Sequence, residues 1–142
     1  MDRNGNRNVL AQGKYLRLMA GQGWEWVERL NTSGAAVIVA VTTEQELVLV
    51  EQYRVPLDVR VIELPAGLAG DGPDTADEAM IDAARRELFE ETGCESSNWQ
   101  VLLDGPSSAG LTTESYTLFL ARDANRVGPG TGDDHEDIKR SE

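Results

Sequence analysis

Arg85-Arg-Glu-Leu-Phe-Glu-Glu-Thr-Gly93 is the stretch on which the fold turns. It closes an Ala-rich segment free of Gly and Pro, and the pattern predicts a helix from about Ala76 to Thr92. Gly93 stands at the C′ position, where a left-handed residue commonly ends a helix. Asp74 or Thr75 is placed to cap the other end. Met80, Ile81, Ala84 and Leu88 form an apolar stripe that anchors the helix to a sheet. At about 3.6 residues per turn, Glu87, Glu90 and Glu91 share a face. Like charges at that spacing repel. The triplet is therefore either the solvated face of a Glu-rich helix or a set of carboxylates converging on a hard divalent cation. Mg²⁺ favours carboxylate oxygens and leaves positions open for phosphates. Arg86 lies one turn before Glu90 and is placed to orient the cluster.

Outward from this helix the chain reads as strands. Gly13–Met19 alternates weakly and Trp24–Leu30 clearly, which sets Trp24 and Trp26 on one face. Ala35–Val41 is a β-branched run suited to a strand buried on both faces. A hairpin through Thr42–Glu46 leads to Leu47–Tyr53, and Arg60–Leu64 is a short strand stopped by Pro65-Ala-Gly67. The stretch from Gly67 to Asp77 is a loop by composition. Beyond the helix, Trp99–Leu103 and Tyr116–Ala121 are further strands. The segment 122–142 reads as a polar, flexible tail with an acidic run at Asp133–Asp137. The expected architecture is one α+β domain over residues 1–142, a stranded core with a single long carboxylate-bearing helix.

Composition narrows the function. The 142 residues carry 25 Asp+Glu against 13 Lys+Arg, a net charge of −12. That balance excludes partners needing a basic face, so neither nucleic acid nor an anionic membrane is expected. Cys94 and His135 are the only residues of their types, which removes disulfides, thiolate-rich metal sites and His-based zinc sites. The polar N-terminus has no signal-peptide core, and the longest apolar run, Ala35–Val41, is far short of a membrane span. The expectation is a reduced, cytoplasmic protein. A phosphate ligand would then need metal ions to supply positive charge.

The spacing around the helix carries a resemblance. Glu78, seven residues, then Arg86-Glu-Leu-Phe-Glu-Glu-Thr-Gly-Cys94 fits G-x5-E-x7-R-E-U-x-E-E-x-G-U, with U bulky and apolar. The chain thus resembles the Nudix hydrolases, α/β/α sandwiches with a mixed sheet that cleave nucleoside diphosphates linked to another moiety. Gly72 satisfies the opening glycine by count, whereas Glu63-Leu-Pro-Ala-Gly67 looks like the segment that normally holds it. Gly67 is favoured, with about five residues inserted before Glu78. A strand must end there, and the Ala66 carbonyl can then face the metals.

Val50-Glu-Gln-Tyr-Arg-Val-Pro56 followed by Val61–Gly67 resembles the ADP-ribose and nucleotide-sugar pyrophosphatase branch. The resemblance puts Arg54 on the diphosphate or ribose, against the alternative of an ion pair with Glu51. Glu63 touches ligand, pairs with Arg54, or is purely structural. Ser108-Ala-Gly-Leu-Thr-Thr-Glu114 matches the branch except that Ala109 replaces a diagnostic proline, which leaves the sugar open. Glu114 supports the site or is structural. Asp133–Ile138 is similar to the acidic loop that brings a catalytic glutamate over the metals. Glu136 matches that glutamate, as general base or further metal ligand; the alternative is an unstructured acidic tail. His135 is expected to be exposed. Trp24 and Trp26 would stack on a base or pack at an interface, and a homodimer through the N-terminal strands of residues 1–33 is implied.

The resemblance implies Mg²⁺, with Mn²⁺ as the alternative, held by Glu87, Glu90, Glu91 and Ala66, with Glu87, Glu91 and Glu136 catalytic. Arg54, Glu63 and Trp24 would contact the substrate, and Arg86 would orient the glutamates. The implied reaction is hydrolysis of the pyrophosphate bond of ADP-ribose or a related nucleoside-diphosphate sugar, giving a nucleoside monophosphate and a sugar phosphate. Two alternatives stand beside it. One is a Nudix hydrolase of nucleoside triphosphates or dinucleoside polyphosphates. The other is a catalytically silent nucleotide-sugar sensor, against which the intact glutamate triplet argues.

Overall fold

The β-branched run of the sequence becomes the centre of the molecule. In a computed structural model, which describes residues 6–72, 74, 77–130 and 138–141, Gly34–Thr42 is the central strand of an eight-stranded mixed sheet. Three strands precede it: β1 (Asn8–Gln12), β2 (Leu16–Gly21) and β3 (Trp24–Arg29). They form an antiparallel sheet of their own. Gly34–Thr42 is therefore β4, followed by β5 (Leu47–Arg54), β6 (Val59–Glu63) and β7 (Ala66–Ala69). The helix α1 (Met80–Thr92) comes next, then β8 (Cys94–Glu95), β9 (Asn98–Pro106), β10 (Ser115–Arg126) and β11 (Ile138–Ser141).

One edge of β4 pairs in parallel with β10, Leu118 standing opposite Val37 and Leu120 opposite Val39. The other edge is shared. Its first half takes β7 antiparallel, from Gly34↔Ala69 to Val37↔Ala66, and its second half takes β5 through the expected hairpin. Alternate residues of β4 are buried and half-buried, so one face is less covered than the run suggests. The buried face meets α1, and Ile38, Val48, Leu88 and Phe119 fill the space between. Leu88 is fully buried, which contributes about 1.5–3 kcal/mol of transfer free energy. Trp99 meets Phe119 edge-on, with ring centroids 6.1 Å apart.

Several bounds differ from the sequence expectation. The helix begins at Met80 rather than near Ala76, and Ala79 caps it with extended backbone and no side-chain cap. The reason is Glu78, whose carboxylate is drawn into an ion pair with Arg86; Asp82 supplies the acidic first turn instead. Gly93 ends the helix in the left-handed conformation, φ 70°. β1 forms where the polar sequence gave no strand signal, because its pairing with β2 is set by tertiary context. The short β7 lies in what reads as a stop and a loop. Strand also enters the polar tail, since β10 runs to Arg126 and Ile138–Ser141 pairs with β5. Glu136, His135 and the acidic run at 133–137 lie outside the described residues. Among the described residues no helix is long and apolar enough to cross a membrane.

Candidate active site

The site is built where α1 crosses β7. Residues 87 and 91 fall on the buried face of α1, so two carboxylates point at the sheet rather than at solvent; Glu87 is 8% exposed and Glu91 3%. A side chain at position 67 would force the Glu87 carboxylate to move, since a Cβ on Gly67 would lie 1.9 Å from Glu87 Cδ. The backbone of β7 therefore approaches the Glu87 carboxylate as only glycine allows. This contact places Gly67 against the helix. The Ala66 amide donates to Glu91 Oε2 at 3.1 Å, tying the second buried carboxylate to the same strand.

Arg86 organises the rest. Its Nη1 donates to Glu87 Oε1 at 2.7 Å and to Glu90 Oε2 at 3.0 Å. Its Nε and Nη2 reach Glu78 at 3.0 and 3.1 Å, and Nη2 also reaches the Leu68 carbonyl at 3.2 Å. The hydrogen bonds to Glu78, aided by the nearby Glu87 charge, hold the guanidinium above its ordinary pKa despite partial burial. Arg86 is thus a permanent cation bridging two of the three clustered carboxylates. Among the described residues no three His, Cys, Asp or Glu side chains form a ready cation site. One guanidinium, Arg86, neutralises Glu87 and Glu90 together. The donor chemistry nonetheless fits a hard divalent ion. Glu87, Glu90 and Glu91 offer only carboxylate oxygens, and two of them are buried, where negative charge needs compensation.

A cavity of about 580 Å³ opens beside this cluster. Glu87, Glu90 and Arg86 line one side with Ala66 and Gly67, and Arg54 and Arg29 also line it. Arg54 Nε pairs with Glu63 Oε2 at 2.8 Å. Glu51, the alternative partner, is taken by Arg60 instead. Arg29 was not marked by the sequence. Its Nε pairs with Glu114 Oε2 at 2.5 Å, and those residues are 85 positions apart, so no local spacing could reveal the pair. Both arginines are held through Nε, and among the described residues no other hydrogen bond is made by either guanidinium.

Trp24 stands apart from this cavity. It is 63% exposed and lines a separate space of about 270 Å³ with Trp26, Arg7, Ala109, Gly110 and Thr113. The shared face expected for the two tryptophans is present. Arg7 lies over the Trp26 ring at 5.7 Å, and Trp26 Nε1 donates to Glu28. A smaller space lined by Arg29, Thr113 and Glu114 lies between the two cavities in terms of shared residues. Ile138 pairs with Gln52, which lines the larger cavity, but Glu136 itself is outside the described residues.

A NUDIX domain model matches residues 32–140, from the start of β4 into β11. The chain belongs to the Nudix family. Members of this family generally use a divalent metal ion, in keeping with the oxygen-donor cluster on α1. The Nudix chain is 35% identical over 111 residues to a methanol dehydrogenase activator of Bacillus methanolicus, covering 78% of this chain and 57% of that protein. It is 39% identical over 110 residues to an ADP-ribose pyrophosphatase of Mycobacterium tuberculosis, covering 78% and 51%. This chain thus spans little more than half the length of those relatives. A crystal structure of an ADP compounds hydrolase shares the fold, with TM-score 0.74 at 21% identity over 96% of this chain and 74% of that one.

Proposed function

We propose that this Nudix chain hydrolyses the pyrophosphate bond of ADP-ribose or a related nucleoside-diphosphate sugar in a metal-dependent reaction. The observation that carries the reading is the cavity of about 580 Å³ with buried-helix carboxylates on one side and two half-free arginines in the same lining. That lining suits a diphosphate, because guanidinium forks match phosphate oxygens and carboxylates hold the counter-ion. The similarity to an ADP-ribose pyrophosphatase supports the substrate class.

Glu87, Glu90 and Glu91, with the Ala66 carbonyl, would hold Mg²⁺, or Mn²⁺ in its place. When bound, the ion supplies charge neutralisation at the phosphates and acidifies a water. Arg54 holds the diphosphate, and Glu63 fixes the Arg54 guanidinium through the 2.8 Å pair. Arg86 keeps Glu87 and Glu90 oriented. A water oxygen bonds to one phosphorus and the bridging P–O bond breaks. The leaving phosphate keeps the electron pair, and the water proton passes to a carboxylate, with Glu136 the candidate from its motif position. Trp24 offers an exposed indole for a nucleobase. A cytoplasmic homodimer joined through the N-terminal sheet completes the reading, supported by its exposed Val9, Leu10 and Leu16.

A Mg²⁺-dependent screen of ADP-ribose, GDP-mannose, ADP-glucose and NADH tests the proposal. Release of a nucleoside monophosphate from at least one of them is expected. Binding without turnover of any diphosphate would make the protein a sensor instead, and turnover confined to nucleoside triphosphates would move it to another Nudix activity.

A further inference from the structure

The last turn of α1 carries Glu90 and Glu91, and its backbone is gripped from outside the helix. At the end of β10 the chain enters the segment Val127-Gly-Pro-Gly130, which packs on the helix C-terminus. The Val127 and Gly128 amides both donate to the Gly93 carbonyl, at 2.8 and 3.1 Å. Gly130, at φ 57°, rests on the peptide that joins Thr92 to Gly93, and a Cβ there would overlap that backbone. A Cβ on Gly93 would in turn overlap the Gly128 carbonyl and lie 3.0 Å from the Gly130 nitrogen. Arg126 pins the segment, its Nε donating to the Gly128 carbonyl at 3.1 Å and its Nη2 to the Pro129 carbonyl at 3.0 Å. Glu91 is therefore fixed twice. Its carboxylate accepts from the Ala66 amide of β7, and the peptide bond one residue further along lies under Gly130.

We infer that Gly130 is a positioning residue for the divalent cation held by the α1 carboxylates, with Arg126 keeping it in place. It touches neither the ion nor the substrate and acts through the Thr92–Gly93 peptide. A side chain at position 130 must displace either its own segment or the end of the helix. The segment is bonded to Gly93 and pinned by Arg126, so the strain reaches the backbone beside Glu91. Mg²⁺ demands near-ideal octahedral geometry, and a shift of Glu90 and Glu91 relative to β7 spoils the set of oxygens that surrounds it. Part of the control of metal affinity thereby lies outside the motif segment Arg86–Cys94. This rests on the proposed metal-dependent reaction and adds to it the contact that holds the end of the helix.

The test measures Mn²⁺ binding by electron paramagnetic resonance in the wild-type chain, Gly130→Ala and Arg126→Ala, with folding of each checked by its melting transition. The wild type should bind Mn²⁺, with Mg²⁺ competing for the site. Gly130→Ala should raise the Mn²⁺ Kd on the order of tenfold. Arg126→Ala changes an exposed side chain and should fold normally, and its Kd should rise about threefold. The direction is diagnostic, because loss of a positive charge by itself draws a cation in more tightly. Weaker binding in Arg126→Ala therefore reports geometry rather than charge. Unchanged affinity in a folded Gly130→Ala, or unchanged or tighter binding in Arg126→Ala, would overturn the inference. Where Gly130→Ala does not fold, the Arg126→Ala result decides alone. A wild-type chain that binds no Mn²⁺ refutes the metal site itself, and the role of Gly130 with it.

Discussion

Gly67 shows how much of the chemistry hangs on a single absent methyl group. With a Cβ there only 1.9 Å from Glu87 Cδ, alanine must displace either a buried carboxylate or the β7 backbone. Gly67→Ala should therefore destabilise the chain by about 1–3 kcal/mol, read as a lower midpoint in urea. It should also lower Mg²⁺-dependent turnover. A variant with wild-type stability and activity would show that β7 and the Glu87 carboxylate do not need this approach. Residues of this kind are partly legible in sequence. The Glu63-Leu-Pro-Ala-Gly67 segment marked the glycine, and the motif marked Glu87, Glu90, Glu91 and Arg86. Arg29 was not legible. It pairs with a partner 85 positions away, which no local spacing shows.

At the scale of elements, α1 is the part that sequence periodicity described best. The apolar stripe, the shared carboxylate face and the Gly93 stop all follow from about 3.6 residues per turn. Its start did not follow, because Glu78 is claimed by a tertiary ion pair rather than by helix propensity. β1 and β7 were missed for the same reason, since short strands take their conformation from the neighbours that pair with them. The N-terminal sheet has its own electrostatic fastening. Trp26 Nε1, and then Arg17, hold the Glu28 carboxyl below its ordinary value of 4.5. A lowered folded-state pKa means that this contribution to stability is complete above pH 4.5 and is lost as pH falls through the lower folded value. Tryptophan fluorescence should accordingly show a step in that acid range, and Glu28→Gln should remove it. An identical step in the variant would assign the transition to other groups.

Over the whole molecule, the acidic side chains that leave a net charge of −12 are put to two kinds of use. Several acidic residues fasten arginines: Glu28 to Arg17, Glu63 to Arg54, Glu114 to Arg29 and Glu78 to Arg86. The carboxylates on α1 are the ones suited to a divalent ion, and Arg86 stands in as their counter-charge. An acidic protein can in this way handle an anionic ligand, with arginines fixed at one part of the cavity and a cation drawn to another. The central claim is that the buried α1 carboxylates carry metal-dependent diphosphate hydrolysis, and the most direct measurement is a Mg²⁺ titration of ADP-ribose hydrolysis. It should be run on the wild-type chain and on Glu91→Gln, with AMP and ribose 5-phosphate quantified and folding of both checked by circular dichroism. The account predicts activity that rises from zero with Mg²⁺ in the wild type, and a kcat lower by orders of magnitude in a normally folded Glu91→Gln. Near-normal turnover in that variant, or hydrolysis independent of added metal, would contradict it.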